Sequence, residues 1–145
     1  MTKKKQSLED YSSKIERLID ANLNRLKEGL RVVEDICRYI HNDTTLTPQI
    51  KTLRHQLQSA YSKERLIHRD IEGDTQKSSR KSELIRTSLD DLAIANFSRT
   101  QESARLLEEV FKLQSIELSE LFKQIRYKLY GIEKNTLKTI SIWLL

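Results

Sequence analysis

Residues 21–35 read ANLNRLKEGLRVVED, and residues 95–109 read ANFSRTQESARLLEE. At an offset of 74, identical residues recur as Asn22/Asn96, Arg25/Arg99, Glu28/Glu102, Arg31/Arg105 and Glu34/Glu108. The apolar pairs Leu23/Phe97, Val32/Leu106 and Val33/Leu107 are conservative. Both stretches space their apolar residues by three and four, the period of a helix with one buried face. The flanking segments repeat more weakly, with Leu53-Arg54-His55-Gln56-Leu57 resembling Ile125-Arg126-Tyr127-Lys128-Leu129. A helix and its partner, written twice, predict an all-α four-helix bundle made from a duplicated helical hairpin with pseudo-twofold symmetry.

Working outward, Ile15, Leu18, Ile19, Leu26, Leu30, Val33, Cys37 and Ile40 extend the first stretch into one long amphipathic helix. Ser13-x-x-Glu16 reads as its capping box, and Asn42-Asp43 marks its end. Thr47 before Pro48 opens a second helix carrying Ile50, Leu53, Leu57 and Ala60 and ending near Leu66. His68 to Ser82 is polar apart from Ile71 and reads as an exposed loop. Loops this long in compact domains are usually functional or disordered. A third helix starts between Ser82 and Ser88 and runs to about Leu113, and Ser115 caps a fourth. The expected organisation is one helical domain over 1–145, with hairpins at about 10–67 and 83–135, a linking loop at 68–82 and an apolar tail at 136–145.

Composition narrows the chemistry. The chain has 145 residues but only 3 Gly and 1 Pro, far below the average of about 7% and about 5%. Sheet proteins need such residues in their turns. Neither GxxxxGK[ST] nor GxGxxG occurs, so the two commonest glycine-built phosphate cradles are absent. A (β/α)₈ barrel, typically about 250 residues, does not fit. The net charge of +5 suits anionic ligands without selecting among them. Part of it is the Lys3-Lys4-Lys5 run, read as a solvated terminus. The charge leaves nucleic-acid binding open as a further alternative, but at 6% aromatic the chain is poor in stacking groups, so nucleic acid is not the expected partner. The single Cys37 rules out an internal disulfide and fits a reducing, cytoplasmic setting. The polar start shows no signal peptide. The apolar run Ile140 to Leu145 is too short to span a membrane and is open to packing on the bundle or in a homodimer.

The repeated polar residues are the candidates for function. On a helical wheel Asn22 falls in the middle of the apolar face, with Gly29 about 20° away two turns on. Asn96 and Ser103 take the same two places. A buried amide needs a hydrogen-bond partner or a ligand. Arg25 and Arg99 sit at the core boundary, with Glu28 and Glu102 further round the same side. The architectural reading is that the Asn residues fix register, Gly29 and Ser103 permit close crossing, and the Arg–Glu ladder is a set of i,i+3 pairs. Arg31, Glu34 and their mates point towards solvent unless a neighbouring helix covers them, and architecture is favoured for them. In the loop, Asp70 and Asp74 are carboxylates for Mg²⁺ and Arg69 a phosphate ligand, against the reading of an ordinary charged surface loop. Zinc spacing and the paired Glu-x-x-His of di-iron bundles are missing. Cys37 lies on the apolar face, as core.

These motifs in order (DANLNRLKEGLRVVED, LRH, RD-x-x-GD, RTS-x-x-D-x-x-x-AN-x-x-R-x-x-E-x-x-R-x-LEE, IRYKLYGIE) resemble the helical domain found fused ahead of some thiamin-phosphate synthases. Such domains are similar to an alternative hydroxymethylpyrimidine phosphate kinase family. The resemblance covers about residues 15–134. It implies ATP-dependent phosphorylation of the pyrimidine monophosphate to its diphosphate in thiamin biosynthesis, with ATP and Mg²⁺ and a thiamin-phosphate synthase as partner. The positions it matches are Asn22, Arg25, Glu28, Arg31, Asn96, Arg99, Glu102 and Arg105, then Arg54 and Arg126, then Arg69, Asp70, Asp74, Arg86 and Ser88. Where the family tends to have Gly two residues after the second loop Asp, this chain has Gln76. The alternatives are a non-catalytic helical module that docks on the synthase, or a Mg²⁺-dependent nucleotide pyrophosphohydrolase. In the kinase reading Arg25, Arg99 and Arg69 neutralise phosphates, Asn22 and Asn96 read the pyrimidine, and Asp70 and Asp74 hold Mg²⁺ or orient the acceptor.

Overall fold

The computed structural model describes residues 11–80 and 84–144, with side chains as far as Lys138. The Lys3–Lys5 run, the helix start at Ser82 and the side chains of the apolar run Ile140–Leu145 lie outside the described residues. Helix α1 spans Ser12–Asp35 and continues through one π-helical turn, Ile36–Ile40. Helix α2 spans Leu46–Gln56, and two short 3₁₀ segments follow at Leu57–Ala60 and Lys63–His68. Helices α3 (Leu89–Phe111) and α4 (Ile116–Leu144) complete the bundle. Among the described residues there is no strand, and no helix is long and apolar enough to cross a membrane.

One core joins the four helices. It includes Ile19, Leu23, Leu26, Leu30 and Val33 of α1, Ile50 and Leu53 of α2, Phe97 and Leu107 of α3, and Phe122, Ile125 and Leu129 of α4. Helices α1 and α3 run antiparallel: Glu16 near the start of α1 bonds Gln114 just past α3, while Gly29 faces Thr100. A Cβ on Gly29 would lie 2.6 Å from Thr100 Cγ2. Gly29 therefore serves the close approach of α1 to α3, with the Thr100 side chain against it. The turn into α4 stacks Phe111 on Phe122, with ring centroids 5.5 Å apart.

Local chemistry explains where the helices begin and end. Ser88 Oγ accepts from Asp91 N at 3.0 Å, and Ser115 Oγ accepts from Leu118 N at 3.2 Å, so both serines cap their helices. Asn42 has φ 48°, the left-handed turn that ends the first helix. Four expectations need correction. The Ser13–Glu16 capping box does not form, because Ser13 Oγ pairs with His68 Nδ1 and Glu16 binds Arg65 and Gln114. Helix α2 starts at Leu46 rather than Thr47, its first amides taken by Asp43 Oδ1. It ends at Gln56 rather than near Leu66. Arg65 satisfies the freed Ala60 carbonyl at 2.7 Å and draws the chain back onto α1. Leu18 and Ile40, counted with the apolar face, are exposed.

Candidate functional site

The middle of α1 and the middle of α3 supply one cavity. It measures about 460 Å³ and is lined by Asn22, Arg25, Arg99, Glu102, Ser103 and Leu106. That volume lies within the range of small-molecule sites. Both Asn side chains are buried, Asn22 at 2% and Asn96 at 8% exposure. Each spends its amide N–H on the carbonyl four residues back: Asn22 Nδ2 on Leu18 O at 3.0 Å, Asn96 Nδ2 on Leu92 O at 2.8 Å. That leaves the Asn22 Oδ1 as its remaining polar atom at the cavity. Arg25 and Arg99 are exposed and form no ion pair or hydrogen bond among the described residues. Two like charges thus converge on one concavity with Glu102 as the carboxylate beside them. Glu28 and Asn96 are not among its lining side chains.

The outer half of the repeated motif is bound up internally. Glu34 is 2% and Glu108 3% exposed. Arg31 and Arg54 donate to Glu34 at 2.9 and 3.3 Å. Arg105 and Arg126 donate to Glu108 in the same arrangement, Arg126 at 3.1 Å. The sequence angle points these glutamates outward, but α2 and α4 cover them through Arg54 and Arg126. Burial alone would raise the Glu108 pKa, yet hydrogen bonds from Arg126 and Arg105 outweigh it and hold the carboxyl below its usual range. Arg31, Arg54, Arg105 and Arg126 therefore have carboxylate partners within the fold.

The loop residues gather elsewhere. Arg69 grips Asp20 with two hydrogen bonds of 2.7 and 2.8 Å, which raise the arginine pKa. Asp20 carried no signal in the sequence, since its partner lies 49 positions away. Arg17 donates to the Asp70 carbonyl at 3.0 Å. The Asp70 carboxylate accepts from Gly73 N and the Asp74 carboxylate from Gln76 N, so both shape turns of the exposed loop. Arg69 and Asp20 border a separate cavity of about 400 Å³ with Tyr61 and Lys27. On α1, Asp20 and Arg25 lie about 140° apart. The structure does not bring Arg69, Asp70 or Asp74 to the Arg25–Arg99 cavity. Arg86, partly buried, donates to its neighbour's Ile85 carbonyl at 3.0 Å, and Ser88 serves as the α3 cap.

The residues present can be tested against Mg²⁺, which the resemblance implies. Among the described residues no three His, Cys, Asp or Glu side chains converge. Mg²⁺ commonly takes one or two carboxylates and completes its shell with water and phosphate oxygens. Glu102 in the cavity fits that requirement, as do the free oxygens of Asp70 or Asp74 at the loop.

The comparisons with known proteins agree with this arrangement of motifs. The ThiD2 family model matches residues 17–135. A thiamine-phosphate synthase of Thermosynechococcus vestitus is 38% identical over 122 residues, covering 83% of this chain and 35% of that protein. One from Nostoc punctiforme is 36% identical over 135 residues, 88% of this chain and 38% of its own. One from Rhodopirellula baltica is 39% identical over 120 residues, 79% and 32% respectively. The chain thus spans about a third of the length of these relatives. No solved structure matches it. With the match running from the first turns of α1 almost to the end of the described α4 side chains, the chain belongs to the ThiD2 family.

Proposed function

We propose that the chain phosphorylates hydroxymethylpyrimidine phosphate to its diphosphate with ATP, within thiamin biosynthesis. The observation that carries this reading is one cavity where Arg25 and Arg99, 74 positions apart, meet without a carboxylate partner among the described residues. Membership of the ThiD2 family and likeness to thiamine-phosphate synthases support it. Phosphoryl transfer is mostly positioning and charge neutralisation. A phosphate oxygen of the acceptor attacks the γ-phosphorus of ATP. The new O–P bond forms as the bond from that phosphorus to the β,γ-bridging oxygen breaks, and ADP leaves with the electron pair. An acceptor that is already a phosphate is ionised, so no general base is needed. Arg25 and Arg99 neutralise the phosphates, and Asn22 offers its Oδ1 to a donor on the ligand. Mg²⁺, when bound, screens the phosphate charge.

The deciding experiment incubates the protein with ATP, Mg²⁺ and hydroxymethylpyrimidine phosphate and follows ADP and the diphosphate. Both products in equal amounts are expected. Neither product, from folded protein, sinks the reading. AMP or pyrophosphate without the pyrimidine points instead to a nucleotide pyrophosphohydrolase. The relatives extend well beyond this chain, which favours a second reading: a non-catalytic module docked on thiamin-phosphate synthase. That reading requires binding to the synthase with no ATP turnover in its presence or absence.

A further inference from the structure

The kinase reading leaves a larger cavity unused. It measures about 630 Å³ and lies between α3 and Tyr130 of α4. Glu102 and Leu106 line both this cavity and the arginine cavity, so the two adjoin across one ridge of α3. Their chemistry differs. The first offers Arg25 and Arg99 without carboxylate partners among the described residues. In the second, Arg105 is neutralised by Glu108 and Glu109, and the lining adds the Tyr130 ring and the Gln101 amide beside the Glu102 carboxylate and Ser98.

The ring is held in place before any ligand arrives. Arg126, anchored on buried Glu108, donates to the Tyr130 hydroxyl at 3.3 Å. Tyr127 stands edge-on to Tyr130, with centroids 5.9 Å apart. Tyr130 remains 43% exposed, so it has area to cover. Gln101 donates its amide to Glu133 at 3.3 Å, which leaves its carbonyl oxygen as the group to receive a donor. The other half of the molecule also sets a tyrosine, Tyr61, beside a cavity, but a lysine attends that ring. Lys27 stands where Gln101 does, 74 positions earlier, and its ammonium lies 5.7 Å from the Tyr61 ring. Gln58 stands where Tyr130 does, at the 72-residue offset of Arg54 and Arg126. On the α3–α4 side, phosphate chemistry in the middle thus adjoins an uncharged ring and amide towards α4.

We infer that the Tyr130 cavity is the ring subsite of the same ligand site, taking an aminopyrimidine ring. The ring stacks on Tyr130 and gives its exocyclic amino group to Gln101 Oε1. Its phosphates reach across the Glu102–Leu106 ridge to Arg25 and Arg99. Adenine and the acceptor pyrimidine both carry this chemistry. The inference rests on the kinase reading for the identity of the two ligands, and on the adjoining cavities for the geometry.

The test compares Tyr130→Ala and Tyr130→Phe in the full chain. Calorimetric binding of ATP and of hydroxymethylpyrimidine phosphate is measured separately, beside both KM values, with thermal melting as the fold check. Loss of a base–aromatic stack weakens binding by about tenfold or more. Tyr130→Ala is expected to weaken one ligand by that amount and raise its KM alone, and the affected ligand assigns the ring. Tyr130→Phe, which keeps the ring and loses only the hydroxyl, is expected to stay within about twofold. Equal losses in both variants mean that Tyr130 only positions Arg126, and overturn the subsite. So do unchanged affinities, an equal loss for both ligands, or a wild type that binds neither. Binding without turnover in the wild type removes the kinase reading while the binding data still decide the subsite.

Discussion

Two sets of arginines recur in this chain at nearly the same offset, and the fold treats them in opposite ways. Arg54 and Arg126 each reach a buried glutamate, Glu34 or Glu108. Arg25 and Arg99 reach no carboxylate among the described residues and share the lining of one cavity. The first set has its charge met within the protein, so it holds α2 to α1 and α4 to α3. The second set has charge to offer an anion. Repetition of a residue thus marks importance without naming its kind; the partner decides between architecture and binding.

The largest expected effect tests the unpaired set. Arg25→Ala and Arg99→Ala should each lower turnover by at least ~100-fold, the scale for losing one donor to developing phosphate charge. Because neither side chain has a partner to strand among the described residues, stability should move by no more than about 0.5 kcal/mol. Turnover that survives both changes would dissolve the contrast between the two sets.

The paired set should answer in stability. Glu108→Ala removes a carboxylate at 3% exposure and leaves the largely buried Arg126 of α4 without it. A loss of roughly 2–4 kcal/mol in urea unfolding is expected. Glu34→Ala should cost less, because Glu108 takes both of its oxygens to Arg126 while Glu34 gives Arg54 one. Acid should act on the same centre. The Glu108 and Glu16 carboxyls lie below their usual range because, despite burial, their arginine hydrogen bonds favour the ionised form. A depressed folded-state pKa contributes stability above the unfolded value of about 4.3, and loses it as pH falls through the folded one. Melting temperature should therefore hold from pH 7 to about 5 and fall below about 4.3. Glu108→Gln should flatten part of that fall.

How far the sequence reaches follows the same division. Helix period, the caps at Ser88 and Ser115 and the apolar seam are local patterns, and they were legible because helical geometry alone fixes which side chains share a face. The pairing of Arg69 with Asp20, and of Glu16 with Arg65 and Gln114, was not legible. The two arginine contacts depend on the chain after α2 folding back over α1, across 49 residues, and the Gln114 contact on α3 packing antiparallel to α1, across 98. Glu34 and Glu108 sit between the cases. Their wheel angle faces outward, and only the covering helix turns that face into an interior. Of the candidate site, Asn22, Arg25, Arg99 and Glu102 come together, whereas Arg69, Asp70 and Asp74 stay with the loop.

A smaller effect probes the crossing that brings Arg25 and Arg99 to one cavity. Gly29→Ala gains about 1 kcal/mol of helix propensity. It also drives a Cβ to within 2.6 Å of the Thr100 methyl. Overpacking costs of about 1–3 kcal/mol should leave a net loss of about 1 kcal/mol. Thr100→Ser removes the methyl and keeps the hydroxyl that donates to Phe97 O at 2.7 Å. In a double-mutant cycle the second change should return most of the loss. No coupling would mean that α1 and α3 are not held together at this point.

The smallest effect separates binding from architecture at Ser88, which the family resemblance places among ligand residues. In this fold its hydroxyl oxygen accepts from Asp91 N at 3.0 Å as the cap of α3. Ser88→Ala should cost about 1 kcal/mol of stability, while Ser88→Asp, another good cap, should cost almost nothing. If Ser88 is a cap alone, both variants keep the wild-type KM for ATP and for the pyrimidine phosphate at a temperature where both are folded. A phosphate contact at this position would give the reverse order. Asp at position 88 would then repel the ligand and raise KM more than Ala does, although it caps the helix better.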